Sequence, residues 1–539
     1  MLEAQRTTVR NTISHLIREC KTLRELKLVH ARIIKSPYLP RNDQEFLITR
    51  LLFVCALSDS GSLSYATDIF RFIGNPNISA HNIMIRAYAN RLNDAHPCQP
   101  LILYKEMLFN GIAPDCLTFP FLLKECTKKL DGCLGRGIHC QAIKFGLCND
   151  LYVQNSMITL YCACGFLVDA RNLFDEMSDR DVVSWNSMII GCLRGGDLDS
   201  AKNLFRKMKN RNNITWNSMI TGFVQAGQAK EALELFHQMQ IVNDDLVKPD
   251  QITIASVLSA CSYLGAIDHG KWVHSFLKRT SMVRDTVIRT ALVDMYGKCG
   301  LIERAYEVFN EMPEKDTPAW TAMISVFALH GHVKEAFNVF QKMKEAGVKP
   351  NQVTFVGLLS ACAHSGLVQK GRSFFDTMRY EYSMQPQVHH YACMVDILSR
   401  AGLLGEAVEL IQSMPMKADV FVWGALLGGC QMHGNVEIGE KVARYLIDLE
   451  PSNHAFYVNL CDLYGKAGRF DDMKRVRRLM NERGIKKEAP GCSMIEIDGV
   501  VHEFSIRGSC DVQMEEIVEV LTGLYDEIRI FCTNNYHLT

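Results

Sequence analysis

The sequence predicts an all-α fold, an α-solenoid of stacked helix-turn-helix repeats. Three observations predict it. Asn155, Asn186 and Asn217 recur every 31 residues, as do Met177, Met208 and Met239, and the same step links Thr290 to Thr321 and Met312 to Met343. Cys126 with His139 recurs as Cys261 with His274, each pair 13 apart and the two offset by 135. Within each period the apolar residues follow helical spacing. In residues 213–250, Trp216, Met219, Ile220 and Phe223 make one face. Gly227 breaks the pattern, Ala232, Leu235, Phe236 and Met239 make a second face, and Pro249 stops it. Neither helix has a face wide enough to fold alone, whereas stacked neighbours bury both.

The register then assigns each stretch in order. Residues 1–9 fall in a start with Arg6, Arg10 and a single acid, Glu3, a faint organelle-leader composition that an ordinary start shares. Residues 10–77 read as a shorter, degenerate pair of repeats. Ten units follow over 78–419, at 78–115, 116–150, 151–181, 182–212, 213–250, 251–285, 286–316, 317–351, 352–387 and 388–419. Two-helix patterning continues in 420–453 and 454–487, through Trp423, Leu426 and Leu427 and then Tyr457, Leu460 and Leu463. Over 488–539 the period changes. Ile495 and Ile497 alternate, then Val501 and Phe504 around Asp498-Gly499, which predicts a short β-hairpin, with a final helix near 511–531.

Composition narrows the function classes. The 539 residues are 48% hydrophobic and 22% charged, which excludes a disordered or collagen-like chain. The 59 basic and 59 acidic side chains cancel, so bulk charge does not drive nucleic-acid binding, although a neutral protein can carry a basic face. No apolar stretch is long enough to predict a membrane span; Phe46–Leu57 is short and holds Arg50. The 20 cysteines sit mostly inside apolar helical patterns, which points to free thiols in a reducing compartment.

At these residues the chain resembles the pentatricopeptide repeat family, in its plant subclass of alternating canonical, long and short repeats. Lys248-Pro249-Asp250 and Lys349-Pro350-Asn351 match the end of a canonical repeat. Cys126 to His139 and Cys261 to His274 match the long repeat, and Asp294-Met295-Tyr296-Gly297-Lys298-Cys299-Gly300 the short one. Residues 420–487 resemble the two extension repeats of the subclass, and Pro490-Gly491-Cys492-Ser493-Met494-Ile495-Glu496 the start of its further extension. The resemblance implies a right-handed superhelix that binds single-stranded RNA, one base per unit. It carries the family's two base-reading positions onto Asn82 with Asp115, Asn155 with Asp181, Asn186 with Asn212, Asn217 with Asp250, Thr290 with Asp316, and Thr321 with Asn351. Val183, Ile214 and Val287 match its apolar wedge between bases; Ser79 and Pro318 depart from it. The long units carry Pro120, Ala255 and Val356 at the reading position and are left unassigned, as is the unit with Ala392 and Asp419. The implied sequence is 5′-UNUYUNGANN. The plainer reading of the same Asn, Asp and Thr residues is helix capping, and the two roles can coexist.

The subclass often ends in a cytidine-deaminase-like domain, whose zinc chemistry needs His-x-Glu and Cys-x-x-Cys. None of the 17 histidines has Glu two residues on, and no Cys-x-x-Cys occurs. Cys162-Ala163-Cys164 has the wrong spacing, Gly195-Gly196 reads as a helix break, and His389-His390 as ordinary helix residues. No catalytic residue, metal ligand or cofactor is therefore expected. The leading expectation is a non-enzymatic RNA-binding factor that selects a cytidine for C-to-U editing, in the mitochondrion or alternatively the chloroplast. Its implied partners are single-stranded organellar RNA, a deaminase-bearing protein of the same family acting in trans, and organellar editing cofactor proteins. The alternatives are an RNA stability, splicing or processing factor acting by occupancy, and a protein-binding scaffold. Residues 466–487 hold nine basic against three acidic side chains, which suits phosphate contact or a solvated helix face.

Overall fold

The computed structural model describes residues 2–36, 39–90, 98–241, 247–280, 285–485, 492–497 and 500–505. Among these residues, helices follow one another in pairs from Leu2 to Glu482. The first helix of each pair is called A below and the second B. The first A helix, Leu2–Glu19, already includes most of the leader-like start.

The chain divides into two compact units, Met1–Thr253 and Ile254–Thr539. In the first, the A helices Thr118–Lys129, Leu151–Ala163, Val182–Arg194 and Asn213–Gln225 pack successively against one another. In the second, the same holds for Thr286–Lys298, Thr317–Leu329, Gln352–His364, Val388–Arg400 and Val420–His433. The second unit also contains two antiparallel strands, Cys492–Ile497 and Val500–Ser505, with Ile497 opposite Val500. The helix expected near 511–531 lies outside the described residues.

The A-to-B turns from Gly165 to Gly468 share one physical cause. At Gly227 the backbone takes φ of 76°, a left-handed conformation open to glycine at no steric cost. The amide of Gly227 then bonds the carbonyl of Val224, and that of Gln228 the carbonyl of Phe223, closing the helix end.

The recurrent sequence series have structural counterparts. Cys126 and Cys261 are fully buried core residues. The histidine 13 residues later bonds the tyrosine of the next A helix: His139 Nδ1 lies 2.8 Å from the Tyr161 hydroxyl and His274 Nδ1 2.8 Å from that of Tyr296. His30 and Tyr65 repeat the contact at 2.8 Å. Burial pushes the His274 imidazole down to about 4, so it is neutral at physiological pH and shares a hydrogen bond with the tyrosine hydroxyl.

The short units carry an aromatic clamp. Trp185, Trp216 and Trp320 each meet a B-helix phenylalanine edge to face, Phe174, Phe205 and Phe309, at 4.9–5.0 Å between centroids. A cation covers each phenylalanine: Arg180, Arg211 and Lys315. The same cations donate to carbonyls at the end of the B helix, as in Arg211 Nη2 to Phe205 O at 2.9 Å. They therefore close the helix while joining it to the next unit.

Candidate nucleic-acid interface

The reading positions lie in the second turn of A helices, and their partners cap the A helix that follows. Asp181, Asn212, Asp316 and Asn351 are N-caps in the structure, each accepting the amide of the residue three further on. Asp115 and Asp250 do the same for Thr118 and Thr253. Capping is therefore one role of these side chains.

Four of the six pairs are joined directly. Asn82 Nδ2 donates to Asp115 Oδ1 at 2.9 Å, Asn155 Nδ2 to Asp181 Oδ1 at 3.1 Å, Asn186 Nδ2 to Asn212 Oδ1 at 3.3 Å and Asn217 Nδ2 to Asp250 Oδ2 at 2.8 Å. The four asparagines are buried. The remaining two pairs differ. Thr321 reaches Asn351 only through Thr354, whose hydroxyl is 2.7 Å from that of Thr321 and 3.0 Å from Asn351 Oδ1. Thr290 is not joined to Asp316, and its buried hydroxyl has no hydrogen-bond partner.

The Asp181 and Asp250 carboxylates are held in their ionised form. Burial alone would raise Asp250, but bonds from the Thr253 amide, the Asn217 amide and the Thr253 hydroxyl outweigh it and hold the carboxyl below its ordinary value. Asp181 is lowered in the same way, its burial opposed by Ser184 and Asn155.

Beside Asn155, Asn186, Asn217 and Thr290 stands an exposed apolar side chain, three residues earlier in the chain. Val183, Ile214 and Val287 are 54%, 57% and 59% exposed. The sequence reading missed five more at the same place, the second residue after the cap: Leu117, Tyr152 and Ile252 in the first unit, and Val353 and Phe421 in the second. The signal was present, because a large apolar residue two positions after an Asp or Asn cap is anomalous on a solvent-facing turn. A groove of about 600 Å³ shows how these parts converge. It is lined by Leu117, Pro120, Phe121, Lys124 and Lys128 of one A helix, Tyr152, Asn155 and Thr159 of the next, and Asp181 and Val183 at the start of a third. Apolar walls with a few polar groups and two cations suit a flat heteroaromatic ring attached to a phosphate. Lys124 is held by the side chain of Asn90 at 2.8 Å.

The basic stretch at 466–487 is partly self-neutralised. Lys466 pairs with Asp462 at 3.0 Å, Lys474 with Asp471 at 3.8 Å, Arg469 with Glu440 at 3.0 Å, and Arg475 with Asp472. The other residues weighed in the sequence have structural places. Cys162 is a buried core thiol pushed up to about 12 by burial. Gly196 forms a helix turn at φ of 78°. His390 is buried, with Nε2 3.0 Å from the carbonyl of Gln352 and Nδ1 accepting the Gln387 amide at 3.0 Å. Among the described residues no cluster of three or more His, Cys, Asp or Glu is arranged to hold a metal ion. Among them, too, no helix is long and apolar enough to cross a membrane.

Comparison with known proteins follows the same pattern. The PPR repeat model matches residues 155–182, 183–213, 287–317, 353–382 and 389–417, and the PPR repeat family model residues 211–262 and 315–364. The E motif model matches residues 433–496. Among similar proteins, a mitochondrial pentatricopeptide repeat-containing protein of Arabidopsis thaliana is 36% identical, over 96% of this chain and 90% of its own length. A second such Arabidopsis thaliana protein is 40% identical over 92% and 91%, and a chloroplastic one 36% identical over 96% and 82%. Among solved structures, the pentatricopeptide repeat protein PPR10 from maize is similar at 18% identity, covering 88% of this chain and 84% of its own, with a TM-score of 0.45.

Proposed function

This chain belongs to the pentatricopeptide repeat family, one of repeat proteins rather than enzymes, and we propose that it binds single-stranded RNA in a sequence-specific manner in a plant organelle. The observation that carries the proposal is the recurrence of one device. A buried Asn is tied to the acidic or amide cap of the next unit at Asn82, Asn155, Asn186 and Asn217, and at the last three it stands beside an exposed apolar side chain. A protein scaffold has no need for that regularity. A base does, because it requires a fixed donor-acceptor edge and a hydrophobic wall on its face.

The finer reading is selection of a cytidine for C-to-U editing, with the deaminase supplied in trans and organellar editing cofactor proteins as further partners. The match of residues 433–496 to the E motif supports it over simple occupancy, since occupancy needs no such extension. The proposed base readers are the six pairs named above, and the proposed target is 5′-UNUYUNGANN upstream of the edited C. The described arrays at 78–419 and 420–487 would then serve as reader and extension. The mitochondrion is the proposed compartment, as in the name of one relative, with the chloroplast of another as the alternative.

Deep sequencing of organellar transcripts from plants with and without the protein tests this reading. Loss of C-to-U conversion at one or a few sites, with the motif just upstream, is the expected result. Intact editing with altered transcript ends or splicing would replace it with an occupancy role.

A further inference from the structure

We infer that a third residue sets how well each asparagine reads its base: the hydroxyl side chain three residues after the cap of the following A helix. The inference rests on the RNA-reading role proposed above.

An amide held only through its nitrogen can still swing about its last torsion. An amide held at both ends cannot. Thr118 Oγ1 lies 2.8 Å from Asn82 Oδ1, Thr215 Oγ1 2.7 Å from Asn186 Oδ1, and Thr253 Oγ1 within reach of Asn217 Oδ1. Each hydroxyl is also 3.0 Å from its own cap's Oδ1 and shares its single proton between the two oxygens. These three asparagines therefore have their nitrogen on the cap and their oxygen on a threonine hydroxyl. Both amide polarities are fixed, and only the second N–H and the second oxygen lone pair remain for a base. Each threonine hydroxyl is buried and also accepts the backbone amide of its own cap residue, so it is itself positioned: Asp115 N lies 3.1 Å from Thr118 Oγ1.

Asn155 departs from this. Its following helix has Ser184 in the third place, and that hydroxyl bonds the cap Asp181 at 2.9 Å, as the threonines bond theirs, without also reaching the asparagine oxygen. Asn155 Oδ1 is buried without a hydrogen-bond partner. Asn82, Asn155 and Asn217 all have an aspartate as their cap partner, so the two-position code makes them equivalent readers. The structure makes them unequal: two are locked at both ends and one at a single end. Uracil and cytosine differ in the direction of their hydrogen bonds at positions 3 and 4, so amide polarity is the property that separates them.

The test uses the full chain and fluorescence anisotropy with synthetic RNAs carrying the motif. Uracil is replaced by cytosine, one at a time, at the bases assigned to Asn82, Asn155 and Asn217. The expected penalty is larger at Asn82 and Asn217 than at Asn155, by about fivefold, the worth of one hydrogen bond. Equal, non-zero penalties at all three would overturn the inference while leaving the reading role intact. No penalty anywhere would instead overturn the reading role. Two variants then move the effect in opposite directions. Ser184→Thr is expected to raise the penalty at the Asn155 base alone, and Thr253→Val to lower it at the Asn217 base alone. A Thr253→Val protein that loses affinity equally for all RNAs would show a merely structural threonine and count against the inference. Thermal melting of each variant identifies a folding defect, and the wild-type comparison stands without either variant.

Discussion

Thr290 and His274 show how much one side chain's surroundings decide. Thr290 has a free buried hydroxyl because Ala319 stands where Thr354 stands for Thr321. A lone hydroxyl can rotate to donate or accept, whereas an amide presents both groups at once. Thr290→Asn should therefore move base preference at that position from G towards U in a binding assay; an unchanged preference would remove Thr290 from the readers. His274 is buried, and its folded value near 4 lies below the ordinary 6.5. The unfolded chain then binds the proton first. The His274–Tyr296 contribution is complete above the ordinary value, declines as pH falls below it, and is lost by about 4. His274→Gln is expected to flatten the fall in melting temperature between these two pH values, since glutamine takes up no proton there. The asparagine-cap pairs were legible through the family resemblance, which carries its two reading positions onto these residues. The hydroxyl lock was not, because it joins residues 29 to 36 apart through the packing of one A helix on the next.

At the scale of the element, small residues decide how closely A helices approach. Gly429 is one such contact between A helices: a Cβ there would sit 2.4 Å from the Ser399 Cβ and 2.9 Å from its carbonyl oxygen. Gly429→Ala must push two helices apart, and overpacking of this kind costs about 1–3 kcal/mol. A lowered melting temperature with an unchanged helical spectrum is the expected outcome; an unchanged melting temperature would show that the contact yields freely. Helix pairs such as Asn213–Gln225 and Ala229–Ile241 follow from apolar spacing and the glycine between them. The aromatic clamp was only half legible. Trp185, Trp216 and Trp320 recur visibly, but Arg180, Arg211 and Lys315 look like loop charges until their stacking on phenylalanine is seen.

For the whole molecule, zero net formal charge means that any affinity for a polyanion must be local. The structure separates cations by availability. Lys124 lines the groove beside Asn155, while Arg475 faces Asp472 in an ion pair. Lys124→Ala is expected to reduce the salt slope of single-strand binding by about 0.7, the share of one phosphate contact. Arg475→Ala is expected to leave the slope unchanged. A reversed pattern in a salt titration would place the backbone path along 466–487 instead.

By itself the sequence determined the repeat and its helical character, because periodicity and turn residues are local properties of the chain, and its resemblance to the family marked the polar pairs. Tertiary structure alone decided which pairs touch, which oxygens stay unpartnered, which apolar residues face outward and which cations are already spent. Those outcomes depend on side chains of neighbouring units meeting within hydrogen-bond reach. No spacing along one chain encodes that distance until the helices are packed.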